Sequence, residues 1–136
     1  MKVVLDTNVL ASGIFWGGTP LKVLDLWKKE SFEVVASDLV IDEYLRTIQY
    51  LSKKMDRADL YQDWSLILPS RVSLVSVKKS FQLCRDPKDD MFIDCAVADK
   101  ARFIVSGDKD LLVLNKVMSV QIIEPKFFLG EFTQKA

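Results

Sequence analysis

Val3-Val4-Leu5-Asp6-Thr7-Asn8-Val9-Leu10 is an apolar run that halts at three helix-capping side chains and then resumes. Such a stretch is a short buried strand passing directly into a helix. Working outward, the pattern repeats. Val9 to Phe15 forms a short helical stretch that closes at Gly17-Gly18. Thr19-Pro20 offers an N-cap with proline at the first helical position, ahead of an apolar stripe of Leu21, Leu24, Leu26 and Trp27. Phe32 to Ala36 is a second strand, and Ser37 caps a long helix from Asp38 to Lys54. A helical segment from Met55 to Ser70 places Leu60, Trp64 and Leu68 on one face, and Arg71 to Val77 is a third strand.

The second half continues the alternation. Asp86-Pro87-Lys88-Asp89 is a turn that launches a helix from Asp90 to Lys100, followed by the strand Phe103-Ile104-Val105. Lys109 to Leu114 is a short helix, Ser119 to Ile123 a fifth strand, and Pro125 to Phe132 a terminal helical turn before a polar tail from about 131. Short apolar strands alternating with helices predict an α/β fold with a mainly parallel sheet of five strands and helices on both faces. The length of 136 residues suits one domain, 1–136, with its own core.

In such sheets ligands bind beyond the carboxyl ends of the strands, so the acids at those ends carry the functional argument. Asp6 directly follows the first strand, and Asp108 lies just past the fourth. Asp90 opens the helix that feeds the fourth strand, so it belongs to the same edge. On the long third helix, Val40, Tyr44, Ile48 and Leu51 form the core stripe, and Glu43 lies at its margin beside Leu39, Val40 and Thr47. A carboxylate held there is partly desolvated and needs a partner. Asp94 is the one charge within Met91 to Ala98 and stacks one turn after Asp90. That spacing places two like charges together, and a metal ion or a basic partner would relieve them. Asp38, Asp42, Asp86, Asp89 and Asp99 read as turn or surface charges.

Histidine is absent, which excludes histidine bases, Ser-His-Asp triads and histidine-ligated zinc. The two cysteines, Cys84 and Cys95, form no CxxC pair and fit a reducing compartment. Carboxylates gathered without nitrogen or sulfur ligands suit a hard cation, magnesium or manganese. The matching chemistry is metal-assisted displacement at phosphorus. Nineteen basic residues balance nineteen acidic ones, so a polyanion must be met by local cations. Among them, Lys109 beside Asp108 is the best placed to meet a phosphate. With neither a signal-like start nor a membrane-length apolar run, the expected location is the cytoplasm.

Four pieces together carry a family resemblance: Val3 to Leu10, Ser37 to Tyr44, Asp86 to Asp90, and Ile104 to Leu112. In this order and spacing, from Met1 to about Glu124, the chain resembles a PIN domain. It is most similar to the prokaryotic branch of VapC-like ribonuclease toxins from toxin–antitoxin systems. The resemblance implies a three-layer α/β/α sandwich and a magnesium- or manganese-dependent endoribonuclease. The family's four acids fall on Asp6, Glu43, Asp90 and Asp108. Its metal ligands fall on Asp6, Asp90 and Asp108, with Asp94 matching a position acidic in part of the family. Asn8, Ser106, Asp110 and Ser37 fall on supporting positions. An RNA substrate, an antitoxin partner and a homodimer are implied as well, with the apolar helices after Thr19 and after Met55 as candidate dimer surfaces.

Two rivals fit less well. A haloacid-dehalogenase-type phosphatase needs a second aspartate where Asn8 stands, and a phospho-acceptor receiver needs an acid after the third strand, where Val75-Ser76-Val77-Lys78 has none. The alternatives that stay open are a catalytically silent RNA-binding or scaffold PIN domain and a magnesium-dependent phosphatase of another α/β family.

Overall fold

A computed structural model describes residues 1–133. In chain order the elements are β1 (Lys2–Leu5), α1 (Thr7–Phe15), α2 (Gly18–Lys28), β2 (Glu33–Ala36), α3 (Asp38–Lys54), α4 (Ala58–Arg71) and β3 (Ser73–Leu74). A 3-10 turn (Pro87–Asp89) then leads to α5 (Asp90–Ala98), β4 (Phe103–Val105), α6 (Lys109–Leu112), β5 (Lys116–Val117), β6 (Val120–Ile123) and α7 (Pro125–Thr133). The strands form one sheet in the order β3-β2-β1-β4-β6-β5. Every neighbouring pair is parallel except β5–β6. The fold is therefore an α/β sandwich with helices flanking a mainly parallel sheet.

β1 and β4 are buried along nearly their whole length, with Val3, Val4, Leu5, Ile104 and Val105 fully enclosed. Burial on both faces is why these strands are continuous apolar runs rather than alternating ones. Each such side chain contributes about 1.5–3 kcal/mol on leaving water. Phe32, which precedes β2, and Phe103, which opens β4, pack edge-on against Phe128 of α7 at ring separations of 5.0 and 5.8 Å. The C-terminal helix is thus fastened near the strands' amino ends. The carboxyl ends stay open for the acids.

Several element bounds shift by one to three residues, and four differences have a physical reason. The third strand is only Ser73–Leu74, because Arg71 belongs to α4 and pairing stops where β2 stops. The Val75 amide still bonds the Ala36 carbonyl, but the next residue of β2's chain, Ser37, already turns into α3. α2 begins at Gly18 with Gly17 as its N-cap, so Pro20 sits inside the first turn, where a missing N–H costs nothing. Gly17 adopts φ +80°, and Gly13 lets the two first helices close up, since a Cβ there would lie 2.6 Å from Leu24. β5 adds an antiparallel hairpin and a sixth strand, turned through Met118 at φ 53°. α7 runs through Thr133, and the rest of the expected polar tail lies outside the described residues. Among the described residues, no helix is long and apolar enough to cross a membrane.

Candidate metal centre at the carboxyl edge of the sheet

From β1 the chain moves outward to β2 and β3, whereas β4, β6 and β5 lie on the other side. The direction of winding therefore reverses between β1 and β4. In an open α/β sheet the carboxyl ends at such a reversal are the usual place for a ligand. Leu5 and Val105 are register partners at that end, and the Asp6 amide bonds the Val105 carbonyl at 3.0 Å. The residues immediately beyond, Asp6 and Ser106, are thereby held side by side.

Both are buried. The Ser106 hydroxyl donates to Asp6 Oδ2 at 2.7 Å and accepts the Asp108 amide at 2.9 Å. One side chain thus orients the first acid and shapes the turn that carries the last. Burial raises the Asp6 carboxyl above its ordinary range, and the Asp108 charge adds to this; the Ser106 bond pulls the other way. The Thr7 and Asn8 amides also favour the ionised form, although Asp6 makes no formed capping bond to α1. Asp108 does cap a helix, accepting the Asp110 amide at 2.8 Å.

Asp89, Asp108 and Asp110 each bring a carboxylate oxygen within 4.8 Å of the other two. This is the one such group of three among the described residues. Asp89 stands at the N-cap of α5 without a side-chain capping bond, which leaves its carboxylate to this cluster. Its pKa is pushed up to about 6, first by burial and then by the charges of Asp108, Asp6, Asp86 and Asp110. In the sequence Asp89 reads as a turn charge. Its signal was present in position: it is the last residue of the turn aimed at the N-terminus of α5.

Asp90 and Asp94 find other partners. Asp90 Oδ1 accepts the amides of Leu83 at 3.1 Å and Cys84 at 2.9 Å. Asp94 accepts the Phe81 amide at 2.6 Å and the Ser80 hydroxyl at 3.2 Å. Their one-turn spacing does create a pair of like charges, and main-chain dipoles answer it. Neither acid is in the three-carboxylate group.

Glu43 is half-buried on α3 and lies outside that group. The neighbouring Tyr44 hydroxyl donates to the Leu5 carbonyl, which ties this turn of α3 to the end of β1, one residue before Asp6. Burial holds the Tyr44 phenol well above its usual range, with Cys95 and Asp6 adding to this, so it remains a donor. Ser37 is buried and caps α3 by accepting the Val40 amide at 3.3 Å. Asn8 is exposed on the first turn of α1, and Lys109 is exposed beside Asp108. Of the remaining acids, Asp42 pairs with Arg46 at 2.9 Å, Asp99 with Lys2 at 3.3 Å, and Asp86 accepts the Lys88 amide. Those are surface and turn roles.

The donor set fits a hard divalent ion. It is all oxygen, crowded in charge, and only partly buried at the strand ends. Burial pushes the thiols of Cys84 and Cys95 up to about 12, and neither cysteine belongs to the group of acids.

Comparison with known proteins agrees with this architecture. The family model for the PIN domain matches residues 2–110, and the chain belongs to the PIN domain family. It is 34% identical to an uncharacterised protein, MJ1680, of Methanocaldococcus jannaschii, over 97% of this chain and 92% of that protein. Among solved structures it is similar in fold to a chain of VapBC2 from Rickettsia felis, crystallised bound to a DNA fragment from the promoter. The TM-score is 0.58 at 18% identity, covering 90% of this chain and 97% of that one.

Proposed function

We propose that this PIN domain is a magnesium- or manganese-dependent endoribonuclease and the toxin component of a toxin–antitoxin pair. The observation that carries the reading is the meeting of Asp89, Asp108 and Asp110 within 4.8 Å beside buried Asp6, at the point where the sheet reverses its winding. Three carboxylates so close repel one another, and a divalent cation is the partner that converts the repulsion into binding. Asp89, Asp108 and Asp110 would hold the ion, with Asp6 beside them. Glu43 would face the same site from α3, and Asp90, which takes the Leu83 and Cys84 amides, would support the group from the start of α5 without holding the ion. When bound, such an ion neutralises phosphate charge and acidifies water for attack on phosphorus.

The chain's own groups prepare that step. Ser106 fixes the rotamer of Asp6, Asp108 is held by its own cap, and Lys109 offers a cation to the scissile phosphate. Asn8 would orient solvent next to Asp6. The water oxygen bonds to phosphorus, the 3′ oxygen leaves with a proton, and the products carry a 5′-phosphate and a 3′-hydroxyl. The VapBC2 likeness and the family support an antitoxin partner. We assign self-association to the apolar groove of about 300 Å³ between α2 and α4, lined by Leu21, Leu24, Trp27, Leu60, Trp64 and Ile67.

The test is cleavage of an end-labelled oligoribonucleotide with manganese or magnesium, with excess chelator, and with Asp108→Asn. Cleavage should need the ion and stop with the chelator. The variant should fold but lose activity by about 100-fold or more, the scale of removing one electrostatic stabiliser. Cleavage that persists in chelator, or a variant as active as wild type, contradicts the reading.

A further inference from the structure

The residues between β3 and the 3-10 turn, 75–86, have no regular structure, yet the lower part of this strap is held at four points. Asp94 takes the Phe81 amide and the Ser80 hydroxyl, and Asp90 takes the amides of Leu83 and Cys84. A segment without a sheet neighbour must find acceptors for its amides elsewhere. Here two carboxylates one turn apart on α5 supply them. Charged acceptors make these bonds stronger than main-chain ones.

We infer that Asp90 and Asp94 are positioning residues, a clasp that holds the strap against α5 and so sets where its cations stand for the substrate. Lys78 and Lys79 precede the clasp and Arg85 follows it, all three exposed. Lys79 Nζ lies 5.5 Å from the Phe81 ring centre, which fixes the lysine to a clasped residue. After Arg85 the strap runs directly into Pro87–Asp89, whose last carboxylate belongs to the candidate metal centre. A chain of zero net charge meets an RNA backbone through local cations such as these. The inference rests on the nuclease reading for its substrate, but the clasp itself does not.

The experiment compares the full-length protein with Asp94→Ala, Asp94→Asn and Phe81→Pro, the last of which removes the clasped amide from the strap side. Three quantities are read: the rate of limited trypsin cleavage after Lys78, Lys79 and Arg85, manganese affinity, and KM against kcat on an oligoribonucleotide. Asp94→Ala and Phe81→Pro should each speed trypsin cleavage in the strap by about tenfold, because proteolysis follows the opened population. Asp94→Asn keeps an acceptor oxygen and should restore most of the resistance. For Asp94→Ala the loss should fall on KM, about threefold or more, with kcat little moved. Manganese affinity should be the same in Asp94→Asn as in wild type. The clasp is overturned if Asp94→Ala and Phe81→Pro resist trypsin as wild type does. It is also overturned if Asp94→Asn keeps the resistance but binds manganese about tenfold more weakly, which would make Asp94 a metal ligand. Should Asp94→Ala not fold, Phe81→Pro and Asp94→Asn decide. A protein that cleaves no RNA at all sinks the nuclease reading and leaves the trypsin comparison intact.

Discussion

Ser106 has no exposure to solvent, and its hydroxyl serves two acids at once. Ser106→Ala removes a donor from Asp6 and an acceptor from the Asp108 amide. We expect manganese affinity and cleavage to fall about 10- to 100-fold, as for other orienting groups around a metal. Stability should drop by about 1–3 kcal/mol, since the buried partners are left unpaired. Manganese titration and thermal unfolding check both, and an unaltered affinity would remove Ser106 from the site. Asp89 makes a prediction about pH. Its carboxyl in the ion-free fold is raised from 3.8 to about 6, so the folded chain holds that proton more tightly than the unfolded one. The stability it confers when protonated is fully present below 3.8 and is lost as pH rises to about 6. Asp89→Asn should therefore gain melting temperature over wild type as pH rises from about 4 to 7, and manganese should erase the difference. A gap that stays constant with pH would show that the carboxylate is not crowded. The sequence points to this turn and singles out Asp90 there; that Asp89 joins the three-carboxylate group depends on the turn's packing, which a helix start does not reveal.

At the scale of elements, α3 is the most legible. Its bounds, Asp38–Lys54, coincide with those expected, since a serine cap, a long apolar stripe and a basic last turn all point one way. β3 and the β5–β6 hairpin were harder. The first is cut short by its partner's end, and the second is entered at Asn115 and turned at Met118, both at positive φ, with no glycine to announce it. The strap shows the same limit. The Asp90–Asp94 spacing is plain in the sequence, but the amides that answer it come from a segment with no periodicity. α3 also carries its own test. Tyr44 links it to β1 through the Leu5 carbonyl, so Tyr44→Phe should cost about 1–3 kcal/mol in denaturant unfolding. Cleavage should fall as well, because the Glu43 turn is no longer tied to the end of β1. A variant as stable and active as wild type would make that bond incidental.

Across the whole molecule, function follows from winding order. β1 lies inside the sheet with β2 and β3 on one side and β4, β6 and β5 on the other, and ligands bind at the strand ends where winding reverses in this way. The expectation that acids after the first and fourth strands share one edge needed only alternation and the strand-end rule, and Asp6 and Asp108 are joined there through Ser106. What alternation could not supply was Asp89, because it reaches the group through a turn whose geometry is set by tertiary packing. The account as a whole turns on whether these carboxylates hold an ion. Anomalous diffraction from a manganese-soaked crystal measures this most directly. We expect one strong peak within coordination distance of Asp89 and Asp108, with Asp6 or Asp110 completing the protein's share. An empty crevice at saturating manganese, or a peak that touches none of these acids, would contradict it.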